Sequence, residues 1–191
     1  MQDFYHTPGF IMFLIGVLAL FIYLTRREIY QMFFGYGVPF VPTSDQKIDF
    51  IIENIDIKKG QHFLDLGSGD GKVLEALEVH LEKKYGKDHG ISITGIENSP
   101  HPFGLSLEKK ENNKRNFEVK KMDFFKEDFG KYEVVYTYML PYLMGKIWKK
   151  MQKECKPGTL FYSNSFKLMG VEPIKKIPTK SKDFIYVYEI K

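Results

Sequence analysis

Cysteine is nearly absent from this 191-residue chain, and Cys155 is the only one. An internal disulfide is therefore excluded, in keeping with a reducing cytoplasm. A catalytic thiol is not expected either, because no base is placed beside Cys155 and a small apolar residue on a helix face accounts for it. The five histidines, His6, His62, His80, His89 and His101, have no metal-ligand spacing with one another or with the cysteine, so no metal is expected. The lysines are scattered and form no arginine-rich tract, which speaks against nucleic acid as a partner. Charge itself is missing from residues 9–24, and every one of the 28 Lys and Arg lies at or after Arg26.

That uncharged stretch differs in kind from the rest. Phe10–Leu24 is apolar apart from Gly16 and the Tyr23 hydroxyl. It is short for a membrane span of about 20 residues, but extending it to Phe4–Leu24 adds aromatic residues suited to an interface. Arg26 and Arg27 close the far side, and the near side carries only Asp3. The positive-inside rule then predicts a single-pass anchor in the lipid bilayer, with the N-terminus outside and the rest cytoplasmic. A secretory signal would need a positive n-region and a small-residue cleavage site, and neither is present. A buried core helix would keep a polar face, which this segment lacks. The expected division is an anchor and juxtamembrane helix over residues 1–36 and one domain over residues 37–191. Beyond the anchor, 28 cationic side chains meet 23 acidic ones, a mildly basic +5 that suits an anionic membrane surface.

Past the anchor the signals alternate. Thr43 and Gln46 form a capping box, and Ile48, Ile51, Ile52 and Ile55 mark one helix face. A strand at Phe63–Leu66 leads through glycines into a helix from Lys72 to about Tyr85. Ile91–Ile96 is a second strand ending at Glu97, and Ser99 with Pro100 opens another helix. Short strands at Phe117–Val119 and Glu133–Tyr138 follow. A stripe from Leu143 to Cys155 is helical. Thr159–Ser163 is a fifth strand, and Pro173–Ile177 with Phe184–Ile190 make a pair around a lysine-rich turn. This alternation predicts an α/β fold: a doubly wound, mostly parallel Rossmann-like sheet with an antiparallel edge.

The chemistry is expected where the first two strands end. Asp65 is followed by Gly67, Ser68, Gly69 and Gly71, and a helix starts at Lys72. Such a turn lets backbone approach a ligand and aims helix N–H groups at it. The dinucleotide fingerprint spaces its third glycine one residue later. Glu97, followed by Asn98, is placed to accept from both ribose hydroxyls of a nucleoside. Asp123 and Phe124, after the third strand, are candidates for an adenine amino group and ring face. Tyr138 and Tyr142, after the fourth strand, offer aromatic faces to a sulfonium or a lysine. Tyr136 reads instead as an ordinary sheet residue.

These residues resemble the first motifs of class I S-adenosylmethionine-dependent methyltransferases. The stretches VPFVPTSDQKIDFII, FLDLGSGDGKV and GIENSP, with the proline after the fourth strand, are similar to a smaller family. It comprises the membrane-anchored lysine methyltransferases that act on the mitochondrial adenine nucleotide translocase and the ATP synthase c-subunit, with prokaryotic relatives. The resemblance implies S-adenosyl-L-methionine as donor, held by Asp65, Gly67, Gly69 and Glu97. It also implies an active site lined by Pro39–Thr43 and a membrane-protein lysine as acceptor. The chain departs from the pattern in a longer loop between Leu81 and Ile91 and in its C-terminal region. Transfer to lysine is an in-line displacement on a neutral amine, and alignment is the main demand. Thr43, Tyr138 and Tyr142 are the expected border of the acceptor channel. Two other readings stay open: methylation of a lipid, quinone or other small molecule, and a non-catalytic cofactor-sensing membrane module. A nucleic-acid amino methylase would carry Asp or Asn before Pro-Pro-Tyr, where this chain has Tyr138-Met-Leu-Pro-Tyr142.

Overall fold

The structure is a computed structural model that describes residues 8–34, 43, 45–179 and 183–191. Several sequence expectations lie outside these residues: the aromatic edge at Phe4 and Tyr5, the break at Gly35 and Gly37, positions 39–42 of the active-site segment, and residues 180–182 of the lysine-rich turn. The capping box, which needs the Gln46 side chain, also falls outside what is described. The chain divides into two compact units, Met1–Pro39 and Phe40–Lys191.

Among the described residues the first unit contains one helix, α1 (Pro8–Phe34), which runs on past Arg26 and Arg27. Its residues Pro8–Arg26 are long and apolar enough to cross a membrane, a test that a signal sequence or a core helix also passes. Its large apolar side chains from Ile11 to Leu24 are exposed around the whole circumference.

The second unit contains α2 (Asp45–Asn54), β1 (His62–Leu66), α3 (Lys72–Tyr85), β2 (Ser92–Ile96), α4 (Pro100–Asn112), β3 (Glu118–Lys120), β4 (Val134–Thr137), α5 (Pro141–Glu154), β5 (Leu160–Asn164), β6 (Lys175–Pro178) and β7 (Phe184–Glu189). Proline opens both α4 and α5, where its fixed φ suits the first turn and its missing N–H costs nothing. Gly86 closes α3, its N–H returning to the Glu82 carbonyl at 2.9 Å.

The described strands form a seven-stranded sheet with the order β3-β2-β1-β4-β5-β7-β6. Strands β1 to β5 run parallel, and β7 is antiparallel to both β5 and β6. This is the expected mostly parallel sheet with an antiparallel edge. Alternation along the strands divides the core. Phe63, Ile93, Val134, Tyr136 and Tyr162 face α2 and α3, against Ile48, Ile51, Ile52 and Ile55 from the α2 segment and Leu74, Leu77 and Leu81 from α3. The intervening residues face the other way, where Trp148 of α5 lies against Phe161 and Tyr188.

β3 begins one residue later than the sequence suggests. The N–H groups of Asn116 and Phe117 donate to the buried Glu78 carboxylate, which withholds them from the ladder until Glu118. The two sheet edges differ. β3 has only three residues, and β6 exposes Lys175 and Lys176 and ends at Pro178.

The strand order reverses between β1 and β4. β2 and β3 step away on one side, β4 and β5 on the other. The carboxyl ends of β1 and β4 are therefore the topological switch point, the place where open α/β sheets take ligands.

Candidate active site

The glycine loop is clamped to the end of β2. The N–H groups of Gly67 and Ser68 both donate to the Ile96 carbonyl, at 2.9 and 3.0 Å, and Gly71 N–H donates to the Ser68 carbonyl at 3.0 Å. Gly67, Gly69 and Gly71 have φ of 77°, 57° and 75°, a region that costs other residues energy. At Gly67 an added Cβ would also meet the Met139 methyl group, the end of a flexible side chain that would have to move aside.

Glu97 follows β2 and is buried. One carboxylate oxygen accepts from Gly69 N–H at 3.0 Å and the other from Ser99 N–H at 2.7 Å. An ionised carboxylate has about four acceptor positions, so each oxygen keeps one for a further donor. A pair of adjacent hydroxyls fits that arrangement. Asp65 lies nearby in β1, and burial, then the neighbouring Glu97 charge, push its carboxyl well above the ordinary range. Two buried hydroxyls along the loop, those of Ser68 and Ser106, have no hydrogen-bond partner, and Ser106 lies against Gly71. Glycine cradle and two-armed carboxylate together fit a nucleoside ligand with a ribose.

The other expected residues are less uniform. Asn98 is exposed beside Glu97. Asp123 caps a 3-10 turn, accepting from Phe125 N–H at 2.8 Å, and Phe124 is buried with its ring centroid 4.6 Å from that of Phe125. Thr43 is half-buried, and Tyr142 is 53% exposed on the first turn of α5. Tyr136 is a buried sheet residue, as expected, whose hydroxyl accepts from the Asn164 amide at 3.0 Å. Burial, then nearby Asp65, push that phenol up. Cys155 donates to the Phe129 carbonyl, and burial pushes its thiol up to about 11, the state of an inert core residue.

Tyr138 belongs to a polar cluster at the ends of β4 and β5. Its ring stacks on Phe166 at 6.2 Å, and the Lys47 ammonium sits over it, 5.1 Å from the centroid. Lys47 also donates to the Ser165 hydroxyl at 3.0 Å and to the Asp183 carboxylate. Asp183 further accepts from Ser165 at 2.8 Å and from Thr179. Burial pushes the Asp183 carboxyl up, but the Lys47, Thr179 and Ser165 hydrogen bonds outweigh it and hold the group at about 2.

Comparison with known proteins decides the family. Residues 65–175, more than half the chain, match the ANTKMT methyltransferase domain. The chain belongs to the ANTKMT methyltransferase domain family. A protein-lysine N-methyltransferase of Saccharolobus islandicus (strain REY15A) is 26% identical over 160 residues, covering 80% of this chain and 94% of the relative. An RNA methyltransferase from Salinibacter ruber, solved with S-adenosyl-L-homocysteine, superposes with a TM-score of 0.67 at 25% identity, covering 78% of this chain and 94% of that one. An S-adenosylmethionine-dependent methyltransferase from Aquifex aeolicus shares the fold, with a TM-score of 0.56 at 11% identity over 75% of this chain and 89% of that one.

This member of the ANTKMT domain family is an S-adenosyl-L-methionine-dependent methyltransferase, and the donor supplies a methyl group on a cationic sulfonium. Among the described residues, no group of three or more His, Cys, Asp and Glu could hold a metal ion. Sequence reasoning missed Lys47, Ser165, Phe166 and Asp183. They come from α2, the end of β5 and the start of β7, and no local motif joins them. Ser165 is one of two non-glycine residues described with positive φ, at 70°, a strain no residue preference announces.

Proposed function

We propose that this protein is a membrane-anchored protein-lysine N-methyltransferase acting on a lysine of a membrane protein. Asp65, Gly67, Ser68, Gly69, Gly71, Glu97 and Asn98 hold the donor, with Asp123 and Phe124 at its adenine end. Thr43, Tyr138 and Tyr142 border the acceptor. The observation that carries the amine acceptor is the aromatic face of Tyr138 at the end of β4 with an ammonium over it. The named activity of the Saccharolobus relative, matched across nearly its whole length, supports lysine. The uniformly apolar, exposed circumference of α1 supports an anchor, since such a surface calls for an apolar environment. It also supports a lipid-embedded acceptor, because the enzyme would share two dimensions with its substrate.

Mechanistically, Glu97 orients the ribose through its free acceptor positions while the glycine backbone lets the donor approach the sheet closely. The buried end of β4 excludes water. The acceptor must lose a proton before it reacts, and a desolvated site favours the neutral amine. Alignment supplies the rest.

The experiment is to incubate full-length protein in its membranes with methyl-labelled donor, separate protein, lipid extract and RNA, and map the label by tandem mass spectrometry. Label on lysine of an integral membrane protein is expected. Label confined to the lipid extract or to RNA, the latter being the activity named for the Salinibacter neighbour, overturns the reading.

A further inference from the structure

Three groups converge on the Lys47 ammonium from separate elements. The Asp183 carboxylate comes from the residue before β7, the Ser165 hydroxyl from the end of β5, and the Tyr138 ring from the end of β4. A carboxylate, a neutral oxygen and an aromatic face are the set that recognises an alkylammonium, since charge, hydrogen bonding and ring quadrupole all favour it. The set is braced. Phe166 stacks behind Tyr138. Thr179 holds the second Asp183 oxygen. Ser165 keeps its strained backbone, and its hydroxyl proton also faces the Asn164 side-chain oxygen at 3.1 Å, tying it to the buried Tyr136–Asn164 pair. Such strain persists only where the surroundings fix it.

The location matters as much as the composition. The cluster stands at the carboxyl ends of β4 and β5, the same rim of the sheet that carries the glycine loop and Glu97. Thr137, beside Tyr138, donates to the Leu66 carbonyl at 3.0 Å, which joins the end of β4 to the start of that loop. We infer that Asp183, Ser165 and the Tyr138 face form the docking subsite that captures the acceptor lysine as its ammonium, ahead of the proton loss that methyl transfer requires, and that Lys47 occupies it as an internal stand-in which an incoming lysine displaces. The inference rests on the lysine reading above and adds to it the residues that select a primary amine.

Lys47 is then a competitor, and removing it should strengthen acceptor binding, whereas a mere staple between α2 and β7 would weaken with either partner lost. An internal occupant present nine-tenths of the time reduces apparent affinity about tenfold. Full-length wild-type protein, Lys47→Met, Lys47→Gln and Asp183→Asn are compared in detergent with two readouts. The first is binding of n-butylammonium, followed by calorimetry. The second is KM for the acceptor lysine mapped in membranes. Asp183→Asn keeps an oxygen for Thr179, and Lys47→Gln serves should the methionine variant fold poorly. The expected result is about tenfold tighter butylammonium binding and a lower KM for the Lys47 variants, with binding weakened about tenfold or more in Asp183→Asn. Lys47 and Asp183 variants that shift KM in the same direction, or bind the probe no differently from wild type, overturn the inference. If the probe behaves as expected but label lands on no lysine, the subsite stands and the lysine reading fails. If lysine is methylated and the Lys47 variants leave KM unchanged, the reading stands and the subsite fails.

Discussion

At the end of β2 a single carboxylate meets two backbone N–H groups and keeps capacity for two more donors. Hydrogen bonds to a charged group are worth about 1.5–3 kcal/mol each. Glu97→Ala should therefore weaken S-adenosyl-L-methionine binding by at least about tenfold in calorimetry, with an unchanged circular dichroism spectrum. Unaltered affinity would remove Glu97 from the site. Asp183 makes a prediction about acidity. An unfolded aspartate titrates near about 3.9, and this one is held at about 2 in the folded chain. Its contribution to stability is complete above about pH 5 and is lost as pH falls through about 2. The gap in denaturant midpoint between wild type and Asp183→Asn should be widest at neutral pH and shrink between about pH 4 and about pH 2. Asp65 works in the opposite direction. Its raised carboxyl favours the fold most below its unfolded range and loses that advantage as pH rises.

Among the elements, α2 is the clearest case of pattern becoming packing. Its isoleucine spacing places Ile51 in contact with the sheet at 1% exposure. Ile51→Ala should lower stability by about 2–5 kcal/mol, read as a fall in melting temperature. The same kind of spacing made α3 and α5 readable, and the glycine turn and the acidic end of β2 were readable too, because each is written within a few adjacent residues. The cluster around Lys47 was not, because its members lie up to 136 positions apart and meet only through sheet order. Phe124 shows a second kind of limit. An aromatic residue after a strand serves a ligand or the core equally well in sequence terms, and here it is buried against Phe125. Gly67 joins both kinds of information. Its place in the motif and its positive φ are local, but the Met139 methyl group that an added Cβ would have to push aside comes from 72 positions away. Gly67→Ala should cost roughly 1 kcal/mol or more from positive φ alone. It should also weaken donor binding, which calorimetry would show.

For the whole molecule, the anchor proposed for α1 would decide where the chemistry takes place. Lysine at the centre of a spanning helix costs about 3 kcal/mol on insertion scales. Replacing both Leu14 and Leu18 by lysine should move the protein from the carbonate-resistant membrane pellet to the supernatant, while donor binding by the second unit is retained. A wild-type protein found in the supernatant would end the anchor proposal. A protein confined to a surface is locally concentrated, and every open sheet margin there is a potential seed for endless strand-to-strand growth. At one margin three residues offer too short a template, and at the other a lysine pair repels its own copies while Pro178 withholds a donor. If α1 anchors the enzyme, these margins would let it withstand crowding on a bilayer without stacking into fibres.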